Sequence, residues 1–239
     1  MEPLLRCAVF GASGGIGAAI ASQLAARDDV AEVHVLARRV LPFAPKTIPH
    51  TFDLTDEASI AEACAAIAGP LDLVFVATGR LVRDDGTGPE KSWRALDAGG
   101  MAEMFAINTT GPALIAKHTM PLLRKGGRPV FAALSARVGS ISDNRMGGWH
   151  SYRASKAALN MLVRNFAIEL GRTNPAAVAV TLHPGTVDTP LSAPFQRGVP
   201  SEKLFPPERS ARHMLDVIAG LTPADSGKLF AWDGAEVSF

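Results

Sequence analysis

The sequence predicts an α/β fold built around a mostly parallel sheet. Short runs that are apolar at nearly every position alternate along the chain with longer runs of helical spacing. Fully apolar strands imply burial on both sheet faces. Strict alternation with helices implies right-handed crossovers between parallel strands. No linker or shift in composition divides the 239 residues, so residues 1–239 are expected to form one domain.

The strand-like runs are Leu4–Phe10, Val33–Leu36, His50–Phe52, Leu71–Val76, Pro129–Leu134, Val178–Leu182 and Leu229–Trp232, a sheet of about seven strands. Helical spacing covers Ile16–Ala26, then about 57–68, 101–124, 152–171 and 207–220. Val40–Pro49 and Leu191–Pro207 read as loops, the second long enough to cover a site.

Twenty-four basic and 23 acidic residues leave a net charge of +1, which argues against a nucleic-acid or anionic-membrane surface. Cys7 and Cys64 lie in apolar runs and read as inert thiols. The histidines show no metal-ligand spacing, and no apolar run is long enough to span a membrane. The first strand runs directly into a glycine turn without the features of a secretory signal, so the cytoplasm is the expected compartment.

That turn, Gly11-Ala12-Ser13-Gly14-Gly15-Ile16-Gly17, joins a strand to a helix. Gly11, Gly15 and Gly17 divide three tasks: a tight turn, close backbone approach to a pyrophosphate, and close packing of helix on strand. Amide groups at the helix start would hold the phosphates, with Ser13, Gly14 and Ile16 in the same turn. An NAD site usually has a carboxylate after the second strand, but here Arg38 and Arg39 follow Ala37. Guanidinium forks suit a 2′-phosphate, so NADP(H) is expected over NAD(H). Asp56, just before Glu57, reads as a helix cap. That leaves Asp53, beside Leu54, free to face the ligand.

Tyr152 and Lys156 stand four residues apart on a helix, which puts phenol and ammonium on one face. A fixed cation stabilises phenolate and is expected to lower the phenol pKa, so that Tyr152 exchanges a proton with a carbonyl or alcohol oxygen.

Taken together, Gly11–Gly17, Asp53-Leu54-Thr55, Ala106–Gly111, Tyr152–Lys156 and His183–Thr189 resemble the short-chain dehydrogenase/reductase family over nearly the whole chain. The resemblance implies a Rossmann-type doubly wound sheet and hydride transfer between NADP(H) and a small-molecule carbonyl or alcohol. It implies that Tyr152 is the acid/base and that Lys156 tunes it and holds the nicotinamide ribose. Asn108 matches the asparagine that supports a water relay to the lysine. Pro184, Gly185, Val187 and Thr189 match the segment beside the nicotinamide. Leu134–Ile141 with Gly147–Tyr152, and the tail Asp225–Gly234, resemble the C-factor/sniffer-like branch, which includes carbonyl reductases.

Two departures stand out. Where the family carries paired serines, the catalytic position falls on Ala136, so Ser135 takes the carbonyl-polarising role, with Ser140 as the second choice. Thr78, before Gly79, replaces a small residue where backbone approaches the cofactor.

Trp149, His150, Phe195 and Phe205 are candidates for the substrate pocket, each balanced by a plain packing role. Asp143 and Asn144 read as turn residues. Related enzymes pair helices 101–124 and 152–171 between subunits, so a homodimer or homotetramer is expected. The competing function is a non-catalytic NADP(H)-binding regulator on the same scaffold. A sugar-nucleotide epimerase would need a larger substrate domain.

Overall fold

A computed structural model describes residues 3–39 and 44–239. Strand β1 (Leu5–Phe10) leads to helix α1 (Gly15–Ala25), then β2 (Val30–Ala37), β3 (Thr47–Thr51), α2 (Glu57–Ala65) and β4 (Leu73–Val76). Helix α3 (Ala98–Phe105), a π-helical turn (Ala106–Thr110) and α4 (Gly111–Thr119) precede β5 (Val130–Leu134), α5 (His150–Thr173) and β6 (Val178–His183). The chain ends with β7 (Thr186–Val187), β8 (Leu204–Phe205), α6 (Pro207–Gly220), β9 (Leu229–Ala231) and β10 (Glu236–Val237).

The main sheet has eight strands in the order β3-β2-β1-β4-β5-β6-β9-β10. All neighbours are parallel except β9 and β10. The eighth strand lacks a sequence signal because it is only two residues long. The third starts at Thr47, earlier than expected, and includes Pro49. Proline is tolerated there because β3 lies at the sheet edge. Of the loop expected over Val40–Pro49, residues 40–43 lie outside the described residues.

Alternation along each strand sends side chains to two cores. Val9, Phe75 and Val180 pack with Ile20 and Leu24 of α1 and Met214 of α6. Phe10, Phe131 and Ala179 pack with Ile60 of α2, Ile115 of α4 and Leu159 of α5. Each buried Phe or Leu contributes roughly 1.5–3 kcal/mol by leaving water. This packing fixes the helices whose ends build the site. The expected α2 cap is present: Asp56 accepts the Ala58 N–H at 2.9 Å.

The helix expected over 101–124 is broken by its π turn, which gives Asn108 a position that a regular helix would not.

Candidate active site

The strand order reverses at β1, with β2 on one side and β4 on the other. A crevice opens there beyond the carboxyl ends of the strands. Gly11 has φ +80°, and a Cβ on it would lie 3.0 Å from the Ala77 carbonyl carbon. A Cβ on Gly17 would lie 2.3 Å from the Gly11 oxygen, and one on Gly15 would lie 3.0 Å from the Thr189 methyl. Helix α1 starts at Gly15, and Gly14 before it supplies no side-chain cap. Its first-turn amides are thereby left for an anion, as a pyrophosphate requires.

The crevice has two lobes. One, of about 420 Å³, is lined by Gly11, Arg38, Asp53, Leu54, Thr78 and Gly79, together with Ser13 and Gly14. The other, of about 460 Å³, reaches past Gly15, Ile16 and Gly17 to Lys156, Pro184 and Thr189. Arg38 lines both lobes. Arg39 is exposed and lines neither, so only one of the two arginines meets the crevice. Asp53 faces the lobe, but its Oδ1 also accepts the Thr55 N–H (2.8 Å) and hydroxyl (2.7 Å). Those bonds, with the field of Arg38, hold its carboxyl below the usual range.

Tyr152 and Lys156 are buried on the first turns of α5 and share the second lobe. The Lys156 ammonium donates to the Leu134 carbonyl at 2.8 Å. Asn108 accepts the Arg80 N–H (2.8 Å) and donates to the Arg80 carbonyl (2.9 Å) and to the Ser155 hydroxyl (3.1 Å). Ser155 in turn donates to the Tyr152 carbonyl at 2.8 Å. A Cβ on Gly79 would lie 3.5 Å from both Asn108 Oδ1 and Lys156 Nζ, so the two groups converge there.

An adjoining cavity of about 320 Å³ is lined mainly by apolar side chains, among them Leu81, Trp149, Val187, Phe195 and Val199. Gly185 also borders it. Ser135 and Tyr152 line this cavity and the second lobe alike, so they stand where the two meet. The Trp149 ring packs edge-on against Phe195 (5.1 Å) and Tyr152 (6.3 Å). His150 does not line the cavity. Phe205 is buried elsewhere, against Trp232 at 4.7 Å, because β8 carries it into a small sheet with β7. Ser140 is also outside the cavity: its hydroxyl is tied to the Ser238 carbonyl. Asp143 pairs with Arg137 at 2.7 Å and Asn144 caps Gly147 at 3.0 Å, both as turn residues.

The electrostatics correct one expectation. Burial pushes the Tyr152 phenol up to about 12 and the Lys156 ammonium down to about 8. The reason is desolvation: both groups are enclosed, which disfavours the charged form of each. Tyr152 therefore remains protonated at neutral pH. His183, in the cavity wall, is pushed down to about 4 by burial, with Arg137 adding to the effect, and is neutral.

A family profile of short chain dehydrogenases matches residues 6–199. The chain belongs to this family. It is 37% identical to the C-signal of Myxococcus xanthus over 172 residues, 71% of this chain and 93% of that protein. It is 33% identical to 1-hydroxy-2-glutathionyl-2-methyl-3-butene dehydrogenase of Rhodococcus sp. (strain AD45) over 231 residues, 95% and 96% of the two chains. In fold it is similar to an NADPH-bound carbonyl reductase from chicken fatty liver, with TM-score 0.84, 24% identity and full coverage of both chains. It is likewise similar to the carbonyl reductase Sniffer of D. melanogaster, with TM-score 0.81, 19% identity and full coverage of both.

Sequence reasoning missed several polar groups. Asn160 accepts the Ser135 hydroxyl at 2.7 Å, and Ser155 bridges Asn108 to Tyr152. Ser155 lies inside a recognised motif, but its role depends on a contact 47 residues away. Asn160 has the spacing of a core position on α5, and only the buried pairing with β5's end marks it. Within the described residues no helix is long and apolar enough to cross a membrane. Cys7 and Cys64 are free and buried.

Proposed function

We propose that the protein is an NADP(H)-dependent carbonyl reductase of neutral, apolar substrates, with Tyr152 as its acid/base. The observation that carries this reading is the position of Tyr152 and Ser135 between the crevice lined by the glycine turn and an apolar cavity. Bound NADPH would supply the hydride to the carbonyl carbon. Gly14–Gly17 would hold its pyrophosphate, Arg38 its 2′-phosphate and Lys156 its nicotinamide ribose. Tyr152, protonated at neutral pH, donates its proton to the substrate oxygen as negative charge develops there. Ser135 donates a hydrogen bond to the same oxygen. The Lys156 cation offsets the charge left on the phenolate, and Asn108 holds the backbone of Arg80 beside it. Leu81, Val187 and Val199 would give the reacting carbonyl an apolar wall.

Two further features fit this reading. Met161 and Ile168 are exposed on α5, as a helix that pairs with a second copy requires. Two free thiols suit the reducing cytoplasm.

The test is NADPH consumption with a panel of aldehydes and ketones, for the wild type and Tyr152→Phe. Turnover lost in Tyr152→Phe with NADPH binding intact supports the reading. Tight NADPH binding without turnover on any carbonyl replaces it with the non-catalytic regulator.

A further inference from the structure

Helix α5 begins without a cap of its own. Trp149, the residue before it, has φ 51° and ψ 43° and gives no side-chain bond to the first-turn amides. Glu90 fills that role from the loop after β4. Its carboxylate accepts the Ser151 N–H at 3.1 Å and also the Ser151 hydroxyl. Its backbone carbonyl accepts the Trp149 N–H at 2.5 Å. One residue thus grips positions 149 and 151, directly ahead of the phenol at 152.

The loop that carries Glu90 is itself braced. Arg80 exchanges two backbone hydrogen bonds with the Asn108 side chain, and Arg83 bonds Asp97 at 2.8 Å. A cavity of about 40 Å³ separates the underside of this loop from Tyr152, and Glu90 and Tyr152 both line it. Burial alone raises the Glu90 carboxyl, but its bonds to Ser151 outweigh this and hold it below the usual range. An anion at a helix N-terminus is also favoured by the helix dipole.

We propose that Glu90 is the positioning residue for Tyr152: by capping α5 across the loop, it sets the phenol and the Trp149 wall in their working geometry. The catalytic part of this inference rests on the proposed function. The positioning part stands on the hydrogen bonds alone.

The chain has a single tyrosine, so tyrosine carbon-labelled at Cζ alone gives one ring resonance that reports on residue 152 without any turnover. Glu90→Ala removes both side-chain bonds, Glu90→Asp keeps the charge but shortens the reach, and Glu90→Gln keeps an acceptor at full length. In Glu90→Ala and Glu90→Asp the Tyr152 resonance is expected to shift, and kcat to fall about tenfold or more, with the NADPH Kd within about twofold of wild type. Glu90→Gln should stay within about threefold of wild-type kcat, because the acceptor is retained. If Glu90→Ala does not fold, the contrast between Asp and Gln decides. An unmoved resonance and unchanged kcat, even with a lower Tm, reduce Glu90 to a stabilising cap and overturn the proposal. A Gln variant as impaired as Asp also overturns it. A resonance that moves in an otherwise inactive wild-type background supports the positioning role and rejects the proposed reductase.

Discussion

In the proposed reaction Ser135 has a proton to offer substrate only if its buried partner allows it. Its hydroxyl donates to Asn160 Oδ1 at 2.7 Å, while Asn160 Nδ2 is buried without a partner. A half-turn of the amide would bring Nδ2 to the serine oxygen, satisfy the orphan donor and free the serine proton for the cavity. An unpaired buried donor costs ~1–3 kcal/mol, so the turned state is favoured once a substrate oxygen accepts that proton. Ser135→Ala is expected to lower kcat by about 10²–10³-fold, and Asn160→Leu by about tenfold, both without loss of NADPH affinity. Steady-state kinetics alongside calorimetric NADPH titration checks this, and an Asn160→Leu enzyme of normal kcat would show that the amide plays no part. Arg38 gives a second prediction. A charge-assisted bond to a 2′-phosphate contributes ~1.5–3 kcal/mol, so Arg38→Ala should weaken NADPH about 10- to 100-fold and leave NADH unchanged. Equal weakening of both would remove Arg38 from cofactor selection. At this scale the sequence displayed what lies in local spacing, such as the placing of Tyr152 and Lys156 on one helix, which the fold keeps together in one lobe of the crevice. Ser135 and Ser140 looked alike in the sequence, because the contacts that leave Ser135 in the cavity lining and tie Ser140 outside it involve Asn160 and Ser238, far away in sequence.

Elements were legible wherever periodicity alone specifies them. The turn at Gly11–Gly17 was legible for another reason, since Gly11 and Gly17 answer to backbone contacts that a side chain would crowd. Gly17→Ala puts a methyl 2.3 Å from the Gly11 oxygen, which is backbone and has little freedom to yield. The helix must then lift from the turn. The variant is expected to lose about 1–3 kcal/mol of stability and most NADPH binding, as read by urea unfolding and by titration. Unchanged binding would mean that α1 need not lie so close to β1. By contrast, the π turn at Ala106–Thr110 left no periodic signature, although it sets Asn108 facing Arg80 and Ser155. The Leu191–Pro207 segment also misled: its two phenylalanines look equivalent, but β8 turns Phe205 toward Trp232 while Phe195 meets Trp149. Strand pairs of two residues are set by tertiary packing rather than by pattern.

The layered sheet was foreseeable for the molecule as a whole because its strands are apolar on both faces, and that demands helices on each side. The consequence of the same burial for titration was not foreseeable, since the expected lowering of the phenol pKa considered the nearby charge, whereas desolvation is what shifts the group. Desolvation also makes a prediction for global stability. His183 is pushed down to about 4 in the folded protein from an ordinary 6.5, chiefly by burial. Above pH 6.5 the ring is neutral in both states and its contribution is fully present. As pH falls from 6.5 toward 4, the unfolded chain takes up a proton that the folded chain refuses, so the unfolding free energy decreases. The loss is on the order of 3 kcal/mol by pH 4 and levels off below that value. His34 and His50 are also pushed down by burial and contribute to the slope with the same sign. The share of His183 is therefore the difference between wild type and His183→Gln, each unfolded in urea at a series of pH values between neutrality and 4. The wild type should show the steeper decline. Parallel curves for the two proteins would mean that His183 takes up its proton as readily in the folded cavity wall as in the unfolded chain.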